Sequence, residues 1–413
     1  MSSSIETRGT AGVPRFGRRQ FLAGSAASAV VATQTGPAPA LQPPPRKYRA
    51  AVIGHTGRGN YGHGLDTVWL EVPRVEIVAV ADADQEGLAA AVKRLGDVKG
   101  FGDFRAMLDE VRPDLVSIAP RWIDQHRDMV VAAAERGVRG IYMEKPMCRT
   151  LAEADEMIAA CEKHGVKAAI AFQTRYSHKL PVVHELIRSG KLGQILEFRA
   201  RGKEDRRGGG EDLWVLGIHM FNLICHLGGQ PLWCFASVHQ DGRPIRAEDV
   251  EAGAEGIGPL AGDSVHAMYR LPGGAVAYFD SSRNAGGRPT RFGFEIFGSE
   301  GVLQSFDTGH LPQMHFLPDS GWSPGRSGRE WLPVSSAGVD AAEPLENRGL
   351  AGGNLLAVAD LIASIEEDRL PQASFYEARA ATEMIVSVFE SQRLGGPVPL
   401  PMANRENPLT MLS

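Results

Sequence analysis

The chain has 413 residues, 43% of them hydrophobic and 23% charged, with a formal charge of −5. That is long enough for two domains with sizeable cores, and the mild negative balance gives no electrostatic reason to expect nucleic acid or an anionic membrane as a partner. The four cysteines, Cys148, Cys161, Cys225 and Cys234, show neither a C-x-x-C pair nor metal-ligand spacing, so buried thiols are expected and no metal.

Residues 1–45 read as a leader and linker. Arg18 and Arg19 precede Phe21-Leu22 and an Ala/Ser-rich run to Thr33, and Ala38-Pro39-Ala40 offers small residues for cleavage. Charged, then apolar, then small is the order of a bacterial signal peptide. The arginine pair resembles the twin-arginine signal, a receptor-read address and not an anchor. The expected location is therefore the periplasm or the exterior, with no membrane insertion after processing. No later run approaches the ~18 apolar residues that span a bilayer.

Residues 46–170 read as a dinucleotide-binding domain. The apolar run YRAAVI, Tyr48 to Ile53, suits a buried parallel strand and feeds into a loop holding Gly54, Thr56, Gly57, Arg58, Gly59 and Gly62. Gly57-x-Gly59-x-x-Gly62 matches the dinucleotide fingerprint, whose glycines let backbone N–H groups reach a pyrophosphate at a helix N-terminus. A second strand, VEIVAVAD, ends on Asp82, where an acid would reach the adenosine ribose. An acid there favours NAD(H), while Arg58 leaves NADP(H) open. Helices over 85–95, at FRAMLDEV and over 123–136 alternate with strands near Lys99, at DLVSIAP and at GIYMEKP. This predicts an α/β fold built on a doubly wound parallel sheet. Ala119, Pro120, Glu144 and Lys145 then fall at the carboxyl ends of its strands, where ligands sit.

With these pieces in place the sequence resembles the Gfo/Idh/MocA oxidoreductases, the family of glucose–fructose oxidoreductase and inositol dehydrogenase. The resemblance runs over residues 48–402 and rests on the glycine loop, VAVADAD, VSIAPRWIDQH, YMEKPMCRT, RSGKLGQI, FEIFGSEGVL and GGPVPLP. It implies a C-terminal α/β domain, here residues 171–402, whose large and mostly antiparallel sheet faces the nicotinamide, with 403–413 as a tail. The β-rich segments QILEFRARG, LWCFASVH and SVHAMYRLPGGAVAYFDSS agree, with Pro272-Gly273-Gly274 as a hairpin turn. It also implies a small carbohydrate or polyol as substrate and a homo-oligomer, dimer or tetramer.

The resemblance assigns Lys145 to orienting substrate and His219 to acid/base work. The family pattern D-x-G-x-H-x-x-D has Gly217 and His219 in frame here, but Val215 and Asn222 stand where its aspartates belong. Seven residues at about 100° each would place Asp212 two turns below His219 on one helix face, as a substitute carboxylate. Arg175 and Tyr176, after the strand AAIAF, and Trp214 are candidates for substrate contact.

The leading expectation is an exported NAD-dependent oxidoreductase acting on a sugar, polyol or glycoside. An environment with no dependable NAD pool favours a cofactor held through many turnovers. Two alternatives stand beside it: an NAD-dependent glycosidase that oxidises, eliminates, hydrates and reduces with no net redox change, and a cofactor-binding sensor without catalysis.

Overall fold

The computed structural model describes residues 47–287, 291–306 and 313–412. The arginine pair and the small-residue segment at 38–40 lie outside the described residues.

Six parallel strands form the first sheet: β1 (Tyr48–Ile53), β2 (Val75–Ala81), β3 (Lys99–Phe101), β4 (Leu115–Ile118), β5 (Gly140–Met143) and β6 (Lys167–Ile170). Their order is β3-β2-β1-β4-β5-β6, so the winding reverses between β1 and β4. β4 and β5 are buried on every residue, as continuous apolar runs require when helices cover both faces. Several helices begin at caps visible in the sequence: Asp84, Asp103, Thr150 and Ser374 each accept the backbone N–H three residues on.

One expected element is missing. The chain between β1 and β2 makes turns and a short 3₁₀ helix, Val68–Glu71, in place of an α-helix. The glycine loop therefore does not end on a helix N-terminus.

Among the described residues the second sheet has eleven strands. It is antiparallel except where Val276–Ser282 runs parallel to Ile195–Arg201. Helices Ile218–Gly228 and Phe375–Leu394 are buried against it, and Pro272–Gly274 turns the chain between Ser264–Arg270 and Val276–Ser282. Together the sheets give the α/β architecture expected.

Helix Gly349–Glu366 returns to the parallel sheet and packs beside β5 and β6. By length and composition it is apolar enough to cross a membrane, which corrects the expectation that no run reaches that length. Its buried Asn354 and Asp360 are hydrogen-bonded to Tyr142 and Tyr176, as in a core helix. Residues 403–412 also pack: Leu409 is buried, and Arg405 pairs with Asp155.

Candidate active site

At the carboxyl edge of the parallel sheet the loop after β1 is held open and rigid at once. Gly57 and Gly59 adopt φ of 81° and 93°, values that favour glycine. A Cβ on Gly59 would fall 2.3 Å from the Arg121 nitrogen, so this glycine lets two backbones touch. A Cβ on Gly57 would meet nothing within 4 Å, leaving that stretch of backbone open to an incoming group.

Asp82 closes the loop from below. Its buried carboxylate accepts the Thr56 N–H at 3.0 Å, the Thr56 hydroxyl at 2.7 Å, the Tyr61 hydroxyl at 2.8 Å and the Asp84 N–H at 3.0 Å. Burial, and then the Asp82 carboxylate, push the Tyr61 phenol well above its usual range, so it stays a donor. A ribose hydroxyl would thus share a carboxylate that already clamps the loop. Arg58 is committed elsewhere: it pairs with Asp124 and lies 4.7 Å over the Trp122 ring. Its charge is compensated, which argues against a 2′-phosphate. Between the ends of β1, β2 and β3 lies a cavity of about 260 Å³ lined by Gly54, His55, Asp82, Phe104 and Gln125 among others. The open backbone at Gly57 and this cavity fit a dinucleotide.

The ends of β4 and β5 are tied together by His126. Its fully buried ring lies 2.7 Å from the Pro120 carbonyl and 2.9 Å from that of Pro146. Burial lowers its pKa, while the carbonyls of Pro120 and Pro146 and the Glu144 charge oppose this. Ala119 is buried against the glycine loop, where a Cβ on Gly62 would fall 2.6 Å from its oxygen and 2.5 Å from Glu144 Oε2. Glu144 itself is fully buried and accepts both the N–H and Nδ1 of His63, at 3.0 and 2.9 Å. Burial would raise its pKa, but His63 and Lys145 together hold it below the usual range. Glu144 is therefore a brace for the loop.

Lys145 leaves β5 and points at the helix that carries His219. Its ammonium donates to the Val215 carbonyl at 2.9 Å. That carbonyl lies in a π-helical turn, Leu213–Gly217, set between the short α turn Gly210–Asp212 and helix Ile218–Gly228. Such turns widen the helix and recur at functional sites. His219 is buried just beyond the turn, and the Phe172 ring, following β6, meets it edge-on at 5.8 Å. Lys145 and His219 are thus brought to one junction. Burial lowers the Lys145 pKa; Glu144 and Glu255 oppose this, and Arg207 and Arg121 add to it.

The same turn corrects the placement of Asp212. The phase computed from Asp212 to His219 assumed an unbroken α-helix, and the π turn breaks it. Asp212 instead accepts the Glu204 N–H at 3.0 Å and the Ser281 hydroxyl at 2.7 Å, with its second oxygen unpartnered. Trp214 is 1% exposed and offers no open face to a sugar. Arg175 and Tyr176 sit on a 3₁₀ turn of their own, Gln173–Tyr176, and line a cavity that neither Lys145 nor His219 borders; the Tyr176 hydroxyl donates to Asp360 at 3.1 Å.

Sequence reasoning missed the charges around Lys145. Glu255 pairs with Arg121 at 3.6 Å, and Arg207 pairs with Asp205. Only long-range folding brings these to Lys145; no motif marks them. His63 was also missed, although it lies inside the glycine loop.

A doubly wound nucleotide-binding domain joined to a large mixed sheet, with a buried lysine at the junction, defines a two-domain dinucleotide-dependent class. Residues 48–172 match the oxidoreductase family with an NAD-binding Rossmann fold, and residues 182–304 match the GFO/IDH/MocA C-terminal domain. The chain belongs to the Gfo/Idh/MocA oxidoreductase family. It is 29% identical to levoglucosan dehydrogenase of Pseudarthrobacter phenanthrenivorans over 253 residues, 54% of this chain and 63% of that protein. It is 34% identical to D-apiose dehydrogenase of Paraburkholderia graminis over 215 residues, 50% of this chain and 56% of the relative. These matches span less than two thirds of either relative. A solved levoglucosan dehydrogenase, in complex with NADH and levoglucosan, superposes with a TM-score of 0.69 at 22% identity, over 86% of this chain and 100% of that one. At that identity the likeness establishes the fold.

Proposed function

We propose that the protein is an exported, NAD-dependent oxidoreductase that moves a hydride at a carbinol carbon of a sugar or polyol. The observation that carries this reading is the contact between Lys145 and the turn just before His219, which puts a cation and a titratable ring at one buried junction. The nicotinamide, when bound, supplies the hydride acceptor. Lys145 holds the substrate hydroxyl and offsets negative charge developing on its oxygen, an effect strengthened by burial. His219 takes the hydroxyl proton as general base.

A sugar or polyol is supported by what the relatives named above act on, and export by Arg18, Arg19 and the segment to Ala40. An exported enzyme keeps its cofactor bound and recycles it with a second substrate. Exposed Leu232 and Phe235, beside Trp233 and Met268 on the outer sheet face, support pairing with a second copy. The direct test is the ultraviolet spectrum of purified protein before and after addition of candidate sugars.

A further inference from the structure

We propose that Arg175, His184 and His226 form a binding site for a small oxyanion, a carboxylate or phosphate group, separate from the Lys145–His219 junction. They line a cavity of about 320 Å³ that also touches Tyr176, His178 and Gln372. Neither Lys145 nor His219 lines it. His226 lies seven residues beyond His219 in a regular helix, two turns or ~10.5 Å along the axis.

Arg175 is only 9% exposed. A guanidinium taken out of water to this degree normally pairs with a carboxylate. This one donates Nη2 only to a backbone carbonyl, that of Gln372 at 3.3 Å, and its Nε, shielded from solvent, has no partner either. The acids nearby do not supply the missing pair. Asp360 is held by Arg369 at 2.8 Å and by the Tyr176 hydroxyl, and Glu377 acts on Arg175 only through attraction across a distance. A largely buried guanidinium with no carboxylate partner therefore borders an open cavity.

The histidines add a second donor. Their Nε2 atoms are 2.6 Å apart with the rings edge to face, so one ring donates and the other accepts. Burial and the neighbouring Arg175 charge lower both pKa values, that of His226 to about 3, and keep the rings neutral. Two neutral rings carry two N–H groups, and one is spent in their mutual bond. The accepting ring keeps its proton on Nδ1, the donor this site would offer an anion. His184 is exposed, so the cavity opens to solvent. A guanidinium fork with an imidazole N–H is the donor set that carboxylates and phosphates take.

The test is calorimetric titration of inorganic phosphate, and separately of succinate, into mature protein saturated with NADH, which keeps the glycine loop occupied. At least one anion should bind at a single saturable site; phosphate alone would identify a phosphate group, and succinate alone a carboxylate. Arg175→Gln should weaken it by about tenfold or more, the loss of one charge-assisted fork. His184→Gln, at the exposed rim, tests the same site without disturbing a buried residue and should also weaken binding. No saturable binding of either anion, or unchanged binding in either folded variant, overturns the proposal.

Discussion

The ammonium of Lys145 lies 2.9 Å from the backbone carbonyl of Val215. A π turn between two α segments pairs carbonyls five residues on and leaves one out of the ladder, so an oxygen is free for a side-chain donor. A backbone atom thus holds the lysine at a position where the family pattern places an aspartate. Lys145→Ala should lower turnover by ~10²–10⁴-fold while NADH still binds, since the glycine loop is untouched. Val215→Ala should retain most activity, because the contact is through backbone. Deleting Leu216, which returns the turn to α phase, should cost as much as Lys145→Ala. Steady-state kinetics with NADH fluorescence titration separates the effects.

The clamp below the glycine loop should set cofactor affinity. Tyr61→Phe removes one buried donor to Asp82 and should cost about 1 kcal/mol of stability. Asp82→Ala strands the Thr56 hydroxyl and N–H as well, and should weaken NADH binding far more than Tyr61→Phe. Thermal unfolding with and without NADH reads both losses.

Asp212 should be silent in the pH–rate profile. Its carboxylate serves Glu204 and Ser281, so Asp212→Asn should leave the acidic limb unmoved. Stability should respond instead. Burial raises the Asp212 pKa, so the folded state holds this proton more tightly than the unfolded chain. Its contribution is present below the unfolded pKa and is lost as pH rises through the folded one. Wild type should therefore gain stability relative to Asp212→Asn on acidification from neutrality toward pH 4, as denaturant unfolding would measure. A shifted acidic limb would restore Asp212 as the partner of His219.

The parallel sheet was legible because buried strands are written as apolar runs, and helix starts because Asp84, Asp103 and Ser374 are good caps. What escaped depends on contacts distant in sequence. The fingerprint at Gly57–Gly62 suggested a helix, but its glycines disfavour one, and Asp82 fixes the loop through Thr56 and Tyr61. The π turn defeated a phase argument built on 3.6 residues per turn, moving Asp212 away from His219. Arg175 was placed by the strand before it, and the 3₁₀ turn at Gln173 rotated it to another cavity.

The proposal of export rests on the arginine pair, Arg18 and Arg19. Arg18→Lys with Arg19→Lys should leave folded, cofactor-loaded protein in the cytoplasm, as fractionation and an NAD(H) assay of each fraction would detect. Efficient export of the double variant would point to a general secretory signal.

The central claim, redox chemistry on a retained nicotinamide at the Lys145–His219 junction, is tested most directly by absorbance near 340 nm. Purified mature protein, with no cofactor added, is recorded before and after a panel of sugars and polyols, alongside His219→Ala. The account predicts that at least one compound changes the 340 nm band within the mixing time of the wild type and ~10²–10⁴-fold more slowly in the variant. A bound cofactor whose absorbance stays inert to every compound, or a His219→Ala protein that responds as fast as wild type, would contradict it.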